Sequence, residues 1–236
     1  MIKEKRTVSM GSLNRSSGIK RWVRDRCGDN RVRRIKALRT QISSQLNLGP
    51  WRRPGLNGLD VRLADFIGRP EQGRFIELGG NDGLQQSNSF MLERELGWRG
   101  VLIEGIPELA AEAKRNRPEA IVVCAAVTAA SNVGVIAMDD IDLKSAISRL
   151  DGTIWVATTT LSAVIDHVSK GEAPDLLSID VEGFEMDVLG GLDLRKHRPR
   201  WILVETKRED DVSSALSGYA MVAQLSHHDY LYRDEH

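Results

Sequence analysis

Two cysteines, Cys27 and Cys124, stand in 236 residues. They lie far apart and in no metal-binding spacing, which argues against a disulfide framework or a zinc site and for inert thiols. No apolar run approaches the roughly 18–20 residues that span a bilayer, and the start, Met1-Ile-Lys-Glu-Lys-Arg6, is not followed by the apolar stretch of a signal peptide. A cytoplasmic protein is the expectation. The spacing G-x-G-x-x-G is missing too: counted from Gly79, its second and third positions hold Asn81 and Leu84. That absence removes the usual dinucleotide fingerprint.

Net charge is also missing, but only on average. Residues 1–53 hold 15 Lys or Arg against 3 Asp or Glu, and residues 54–236 hold 18 against 30, so an arm of +12 precedes a body of −12. With 41% hydrophobic residues, the body can bury one good-sized core. The chain divides into a basic, partly helical arm and linker over 1–58 and one cofactor-binding domain over 59–236.

In the arm, the first 17 residues carry the composition of a segment without fixed structure. Helical spacing follows in Ile19, Trp22, Val23 and Cys27, breaks near Gly28, and resumes in Ile35, Leu38, Ile42 and Leu46 until Gly49-Pro50. Arg31, Arg33, Arg34, Lys36 and Arg39 occupy the other face. Such a face suits an anionic membrane surface, which would make the protein peripheral there, or an acidic partner. It equally suits packing on the acidic body or on a second subunit of a homo-oligomer. Nucleic acid fits least, because Trp22 is the one aromatic in the two helices and a single-strand binder needs several stacking platforms.

The body opens with a short helix over Leu59 to Ile67. Five apolar strands follow in Phe75–Leu78, Gly100–Glu104, Ala120–Ala125, Asp175–Asp180 and Trp201–Glu205, and helices punctuated by Gly97, Pro107, Thr159 or Thr160, and Gly190-Gly191 separate them. Alternation of this kind is the signature of a parallel, doubly wound α/β sheet. Tyr219–Leu225 and Tyr230–Tyr232 read as a closing hairpin. Ser131–Thr159 is irregular and reads as an insertion forming a substrate wall, with a strand at Val133–Met138.

The strand Phe75–Leu78 runs into Gly79-Gly-Asn-Asp-Gly83, and in open α/β sheets ligands sit beyond such strand ends. Glu77 would repel a pyrophosphate but suits a ligand ammonium, and Glu104, at the end of the next strand, is placed for a ribose diol. S-adenosylmethionine carries both groups.

The words Phe75-Ile-Glu-Leu-Gly-Gly-Asn-Asp-Gly83, Gln86-Ser-Asn88, Val101-Leu-Ile-Glu104, Thr159-Thr-Leu161 and Ser178-Ile-Asp-Val-Glu-Gly-Phe-Glu185 resemble those of FkbM-type methyltransferases over roughly residues 59–232. The resemblance implies a class I (Rossmann-like) S-adenosylmethionine fold, with a mostly parallel seven-stranded sheet and an antiparallel last strand. It also implies O-methylation of a hydroxyl on a sugar, glycolipid or polyketide-like product. On these positions Glu77, Gly79, Asn81, Asp82, Gly83 and Ser87 belong to the methionine end and Glu104 to the ribose. Where the family often shows Glu-Pro, this chain has Glu104-Gly-Ile-Pro107.

Asp180 and Glu182 fall on one side of extended backbone at the end of the fourth strand. Either suits a base for the acceptor proton, a group that orients the acceptor, or a ligand to Mg²⁺; Glu182 suits a helix cap equally well. His227 and His228 read as solvated turn residues. An NAD(P)-dependent oxidoreductase on a related fold, or a recruiting protein with a retained or decayed pocket, are the competing readings.

Overall fold

A computed structural model describes residues 31–141, 144–148 and 154–236. The expected helix over Ile19–Cys27, its break at Gly28 and the unstructured start lie outside the described residues. The chain forms two compact units, Met1–Arg39 and Thr40–His236.

Residues 31–45 are helical (α1) and end in a turn before Gly49, as the apolar spacing and Gly49-Pro50 predict. The four apolar residues that set that spacing, Ile35, Leu38, Ile42 and Leu46, are exposed.

The body is built on a seven-stranded sheet. Its strands are β1 (Arg74–Leu78), β2 (Arg99–Glu104), β3 (Ile121–Cys124), β8 (Leu176–Ile179), β9 (Trp201–Glu205), β10 (Tyr219–Gln224) and β11 (Asp229–Asp234). They lie in the order β10-β11-β9-β8-β1-β2-β3. Strands β3, β2, β1, β8 and β9 are mutually parallel, and β11 runs antiparallel to both β9 and β10. The hairpin is present as expected, but its second strand inserts between β9 and β10 rather than lying at the edge. This is the class I methyltransferase arrangement.

Alternation along β1 decides what sits above and below the sheet. Ile76 and Leu78, with Ile179, Ile202 and Val204, pack under α5 (Leu161–His167), α6 (Glu185–Leu189) and α7 (Glu209–Ala215). Phe75, with Leu102, Leu176 and Leu203, packs under α2 (Leu59–Phe66), α3 (Phe90–Leu96) and α4 (Pro107–Asn116). Both faces are covered, which is why β1, β8 and β9 read as near-continuous apolar runs. Thr160 caps α5 by accepting from the Ala163 N–H at 3.0 Å. Gly97 ends α3 in the left-handed conformation. The N-cap position of α3 is Ser89, which makes no side-chain cap, and Ser87 Oγ accepts the Phe90 N–H at 3.1 Å from two residues further ahead.

The segment expected to be irregular is instead a second sheet. Strands β4 (Ala126–Val127), β5 (Val135–Ile141), β6 (Lys144–Ser148) and β7 (Ile154–Thr159) lie in the order β4-β7-β5-β6. Met138 of β5 and Val156 of β7 pack with Ala126, Ile106 and Leu109 in a small core of their own. This sheet stands beside the carboxyl end of β2.

Candidate active site

Strand pairing brings the candidate residues together. In register, Leu78 lies beside Ile103 and Ile179, and Ile179 beside Val204, so the chain leaves β9, β8, β1 and β2 at one level with Glu205 beside Asp180 and Gly79 between Asp180 and Glu104. Beyond that level opens a cleft of about 880 Å3, counting the part open to solvent. Its lining includes Glu77, Gly79, Asn81, Glu104, Asp180 and Glu182. Ile103, Val127, Met138, Val181 and Phe184 supply apolar wall. Among the described lining residues there is no Lys, Arg or His. Such a cavity favours a cationic ligand and disfavours a pyrophosphate.

The turn after β1 is held by two glycine-specific contacts. Gly79 has φ +74°, and a Cβ there would lie 2.0 Å from the carbonyl oxygen of Asp180. Only glycine lets the ends of β1 and β8 approach this closely. Gly79 and Gly80 donate their N–H groups to the Ile103 carbonyl at 3.0 and 3.1 Å, which ties the turn to β2. Gly83, at φ +81°, faces Ala113 of α4 rather than the cleft. Asp82 is buried, and its Oδ1 accepts from the N–H groups of Leu84 and Gln85 at 2.9 and 2.7 Å. Asp82 and Gly83 therefore build the loop and do not line the cleft.

Glu104 is buried and anchored from both sides: Oε2 accepts the Asn81 N–H at 2.9 Å and Oε1 the Ile106 N–H at 2.8 Å. Its carboxylate is thereby fixed in the wall between β1 and β2, where a ribose diol was expected.

Glu77, which was expected to meet a ligand ammonium directly or through water, lines the cleft with its carboxylate already engaged by protein donors. Its Oε1 accepts the Asn88 N–H at 2.7 Å, and its Oε2 accepts from Ser87 Oγ at 2.9 Å and from Ser89 Oγ. Arg117 reaches the same Oε2 at 3.5 Å. Arg117 is 1% exposed, donates Nη2 to Glu93 Oε2 at 2.9 Å, and lies over the Phe75 ring at 5.0 Å. Glu77 thus serves to fold the loop 87–89 over the sheet, with Ser87 as one of its donors. Nothing in the sequence singled out Arg117, which sits among Lys114, Arg115 and Arg117 in what reads as a solvated helix end.

Asp180 and Glu205 form a carboxyl pair. Burial first, then the negative charges of Glu205, Glu182 and Asp229, and the hydrogen bond to Glu205 raise Asp180 well above the ordinary carboxylate range. Burial and the charges of Asp229 and Glu182 raise Glu205 as well, while the hydrogen bond from Asp180 acts in the opposite sense. Both carboxyls of the pair therefore stand above the ordinary range, Asp180 the further of the two. Sequence reading missed Glu205; its position one residue past the β8–β9 register pair was the available signal. Glu182 has φ +49° and lies just before Gly183. It makes no cap for α6, whose N-cap position, Phe184, has no side-chain cap; Glu185 Oε1 accepts the N–H of Gly183, two residues ahead of the helix, at 2.7 Å.

Asp180 and Glu182 also line an adjoining hollow with Glu205, Lys207, Arg208 and His228. His227 and His228 stack on each other at 4.7 Å. Among the described residues no group of three or more His, Cys, Asp or Glu side chains is placed to hold a metal ion. The Mg²⁺ considered for Asp180 and Glu182 therefore receives no donor set.

Residues 77–232 match the family model described as Methyltransferase FkbM domain. The chain belongs to the FkbM methyltransferase family. That membership supports S-adenosylmethionine-dependent methyl transfer, and the acidic cleft fits a cofactor carrying a sulfonium. No curated protein matches the chain. Among solved structures it is similar to a methyltransferase FkbM from Methylobacillus flagellatus, at 15% identity over 87% of this chain and 60% of that one, TM-score 0.45. A human methyltransferase 10 domain containing protein is 13% identical over 86% of this chain and 96% of that one, TM-score 0.47. A TehB-like SAM-dependent methyltransferase from Corynebacterium glutamicum is 13% identical over 75% and 87%, TM-score 0.42. Among the described residues no helix is long and apolar enough to cross a membrane.

Proposed function

We propose that this FkbM-family chain is an O-methyltransferase that binds S-adenosylmethionine in the cleft above β1, β2 and β8 and accepts a hydroxyl compound in the adjoining hollow. The observation that carries the proposal is the placement of the Asp180–Glu205 pair, with Asp180 lining both spaces. When bound, the cofactor supplies an activated methyl group on a sulfonium.

This chain's own residues do the rest. Glu104, fixed by the Asn81 and Ile106 N–H groups, receives the ribose hydroxyls. Ile103, Val127 and Met138 supply an apolar wall for the base. Glu205, its carboxyl raised by burial and by Asp229 and Glu182, accepts the acceptor's hydroxyl proton as that oxygen takes the methyl group and the bond from the methyl to the cofactor's sulfur breaks. A base whose pKa lies above the ordinary range drives that transfer better than an unperturbed carboxylate at neutral pH. Lys207, Arg208 and His228 around the hollow are polar groups that suit a hydroxyl-rich acceptor such as a glycoside or the head of a glycolipid.

The same cleft argues against the nicotinamide alternative, because Glu104 and Glu182, with no cation among the described lining residues, would meet a pyrophosphate with repulsion. The basic arm is read as an electrostatic contact to an anionic surface, the acidic body or a second subunit, outside the chemistry. The test is a screen with methyl-labelled S-adenosylmethionine against glycosides and glycolipids. Label in an ether on a hydroxyl oxygen is expected; label on nitrogen or carbon alone would overturn the O-methyl assignment.

A further inference from the structure

Helix α1 is turned the opposite way from an ordinary surface helix, which buries its apolar stripe and shows its polar face to water. Ala37 and Thr40 are its buried residues, and Gln41, half-buried on the same side, donates Nε2 to Asn116 Oδ1 at 3.3 Å. The apolar stripe lies on the other side. It consists of Ile35, Leu38, Ile42 and Leu46, of which Ile35 is 63% and Leu46 61% exposed. The Leu46 N–H still donates to the Ile42 carbonyl at 3.0 Å, so the stripe runs unbroken through the last turn. Small and polar residues are covered, and large apolar ones are bare.

From Ile35 to Leu46 the stripe is about 16 Å long, and two more large apolar residues, Leu48 and Trp51, are exposed just after it. An exposed apolar patch rimmed by polar groups marks an interaction site. The rim here is cationic. Arg34 and Lys36 are exposed and stand about 100° to either side of Ile35, and exposed Arg31 lies one turn ahead of it. Their aliphatic stems can lie along the apolar surface while the charged ends reach for anions. Residues 1–53 as a whole carry 15 Lys or Arg against 3 Asp or Glu, an excess of 12.

These charges choose among the partners that an apolar stripe allows. A second copy would set the same cations against one another, because a two-fold interface places each patch on itself. An acidic protein surface would satisfy the cations and leave the stripe in water. An anionic lipid surface takes both, with acyl chains under the stripe and headgroups at its rim.

We infer that α1 is an interfacial anchor, lying in the plane of an anionic membrane surface with Ile35, Leu38, Ile42 and Leu46 in the acyl boundary and Arg31, Arg34 and Lys36 at the phosphates. The inference is independent of the cofactor reading. It also differs from a purely electrostatic contact, because the stripe carries part of the affinity.

Co-sedimentation of the full chain with vesicles of phosphatidylcholine alone, and of equal parts phosphatidylcholine and phosphatidylglycerol, tests the anchor. Two double variants separate its parts, Ile42→Ser with Leu46→Ser and Arg34→Gln with Lys36→Gln. All four residues are on the exposed side or its flanks, and thermal melts of the free proteins show that each variant is folded.

The wild type is expected to sediment with the anionic vesicles and not with phosphatidylcholine alone. The serine pair should weaken that binding by about tenfold or more, and the glutamine pair by about thirtyfold. Three results would overturn the anchor: no sedimentation of the wild type with anionic vesicles, equal sedimentation with both kinds, or binding by the serine pair within about threefold of wild type. Light scattering without vesicles supplies a fourth. A wild-type dimer that the serine pair dissociates would assign the stripe to a second copy instead.

Discussion

Asp180 and Glu205 stand beside each other at the ends of two neighbouring parallel strands, and burial together with the acidic groups around them raises both carboxyls above the ordinary range. If Glu205 is the base, methyl transfer falls as pH drops through a value above the 4.5 of an ordinary glutamate. Glu205→Gln should then lower kcat by about 10²–10⁴-fold, the usual worth of a general base. Affinity for S-adenosylmethionine should change little. A pH–rate profile with parallel calorimetry checks both; an unchanged rate in Glu205→Gln would remove the base assignment.

The same pair makes a stability prediction of definite sign. Asp180 has a folded-state pKa raised from 3.8, so between that value and the raised one the folded state holds more protons than the unfolded state. Its contribution is fully present below about pH 4 and is lost as pH rises through the folded pKa. Asp180→Asn, which cannot ionise, should therefore show a flatter decline of stability above pH 4 than wild type. Urea melts at several pH values measure this.

Arg117 holds the loop over the sheet from a position with almost no solvent exposure. Arg117→Met removes the cation and leaves Glu77 and Glu93 buried without it, a change that typically costs about 3–5 kcal/mol. Urea denaturation should show the loss directly. A change within about 0.5 kcal/mol, the range of an ordinary surface substitution, would mean that Arg117 does not organise the loop.

Gly79→Ala combines a left-handed backbone with a methyl group driven into the Asp180 carbonyl. Strain of this kind costs about 1–3 kcal/mol and must be relieved by moving the end of β1 away from β8. The variant is expected to lose more than about tenfold in cofactor affinity, with a lowered melting temperature. Gly134→Ala, at a glycine whose added Cβ would meet nothing within 4 Å and whose φ is not positive, is the matched control.

The sheet was legible because its strands are buried on both faces and so appear as apolar runs; Phe75–Leu78, Gly100–Glu104 and Trp201–Glu205 needed no partner to be found. The second sheet was not, because Ser131–Thr159 mixes Gly, Asp and Thr without a steady alternation and its strands find their partners mainly in one another. Helix α7 escaped for a related reason: Glu209–Ala215 buries only Val212, and one apolar residue gives no period.

At the site, Glu104 and Asp180 could be read from the strand ends, and both line the cleft. The fate of Glu77 could not be read locally, since its partners Ser87, Asn88, Ser89 and Arg117 lie 10 to 40 residues away in the chain. A carboxylate at a strand end looks the same in sequence whether it faces a ligand or an arginine.

Isothermal titration of the full chain with S-adenosylmethionine tests the cofactor assignment most directly, with Glu104→Ala alongside. One-to-one binding with a Kd on the order of 1–100 μM is expected for wild type, with at least about tenfold weaker binding for the folded variant once the ribose acceptor is gone. No heat and no thermal stabilisation of the wild type at millimolar S-adenosylmethionine would contradict the assignment.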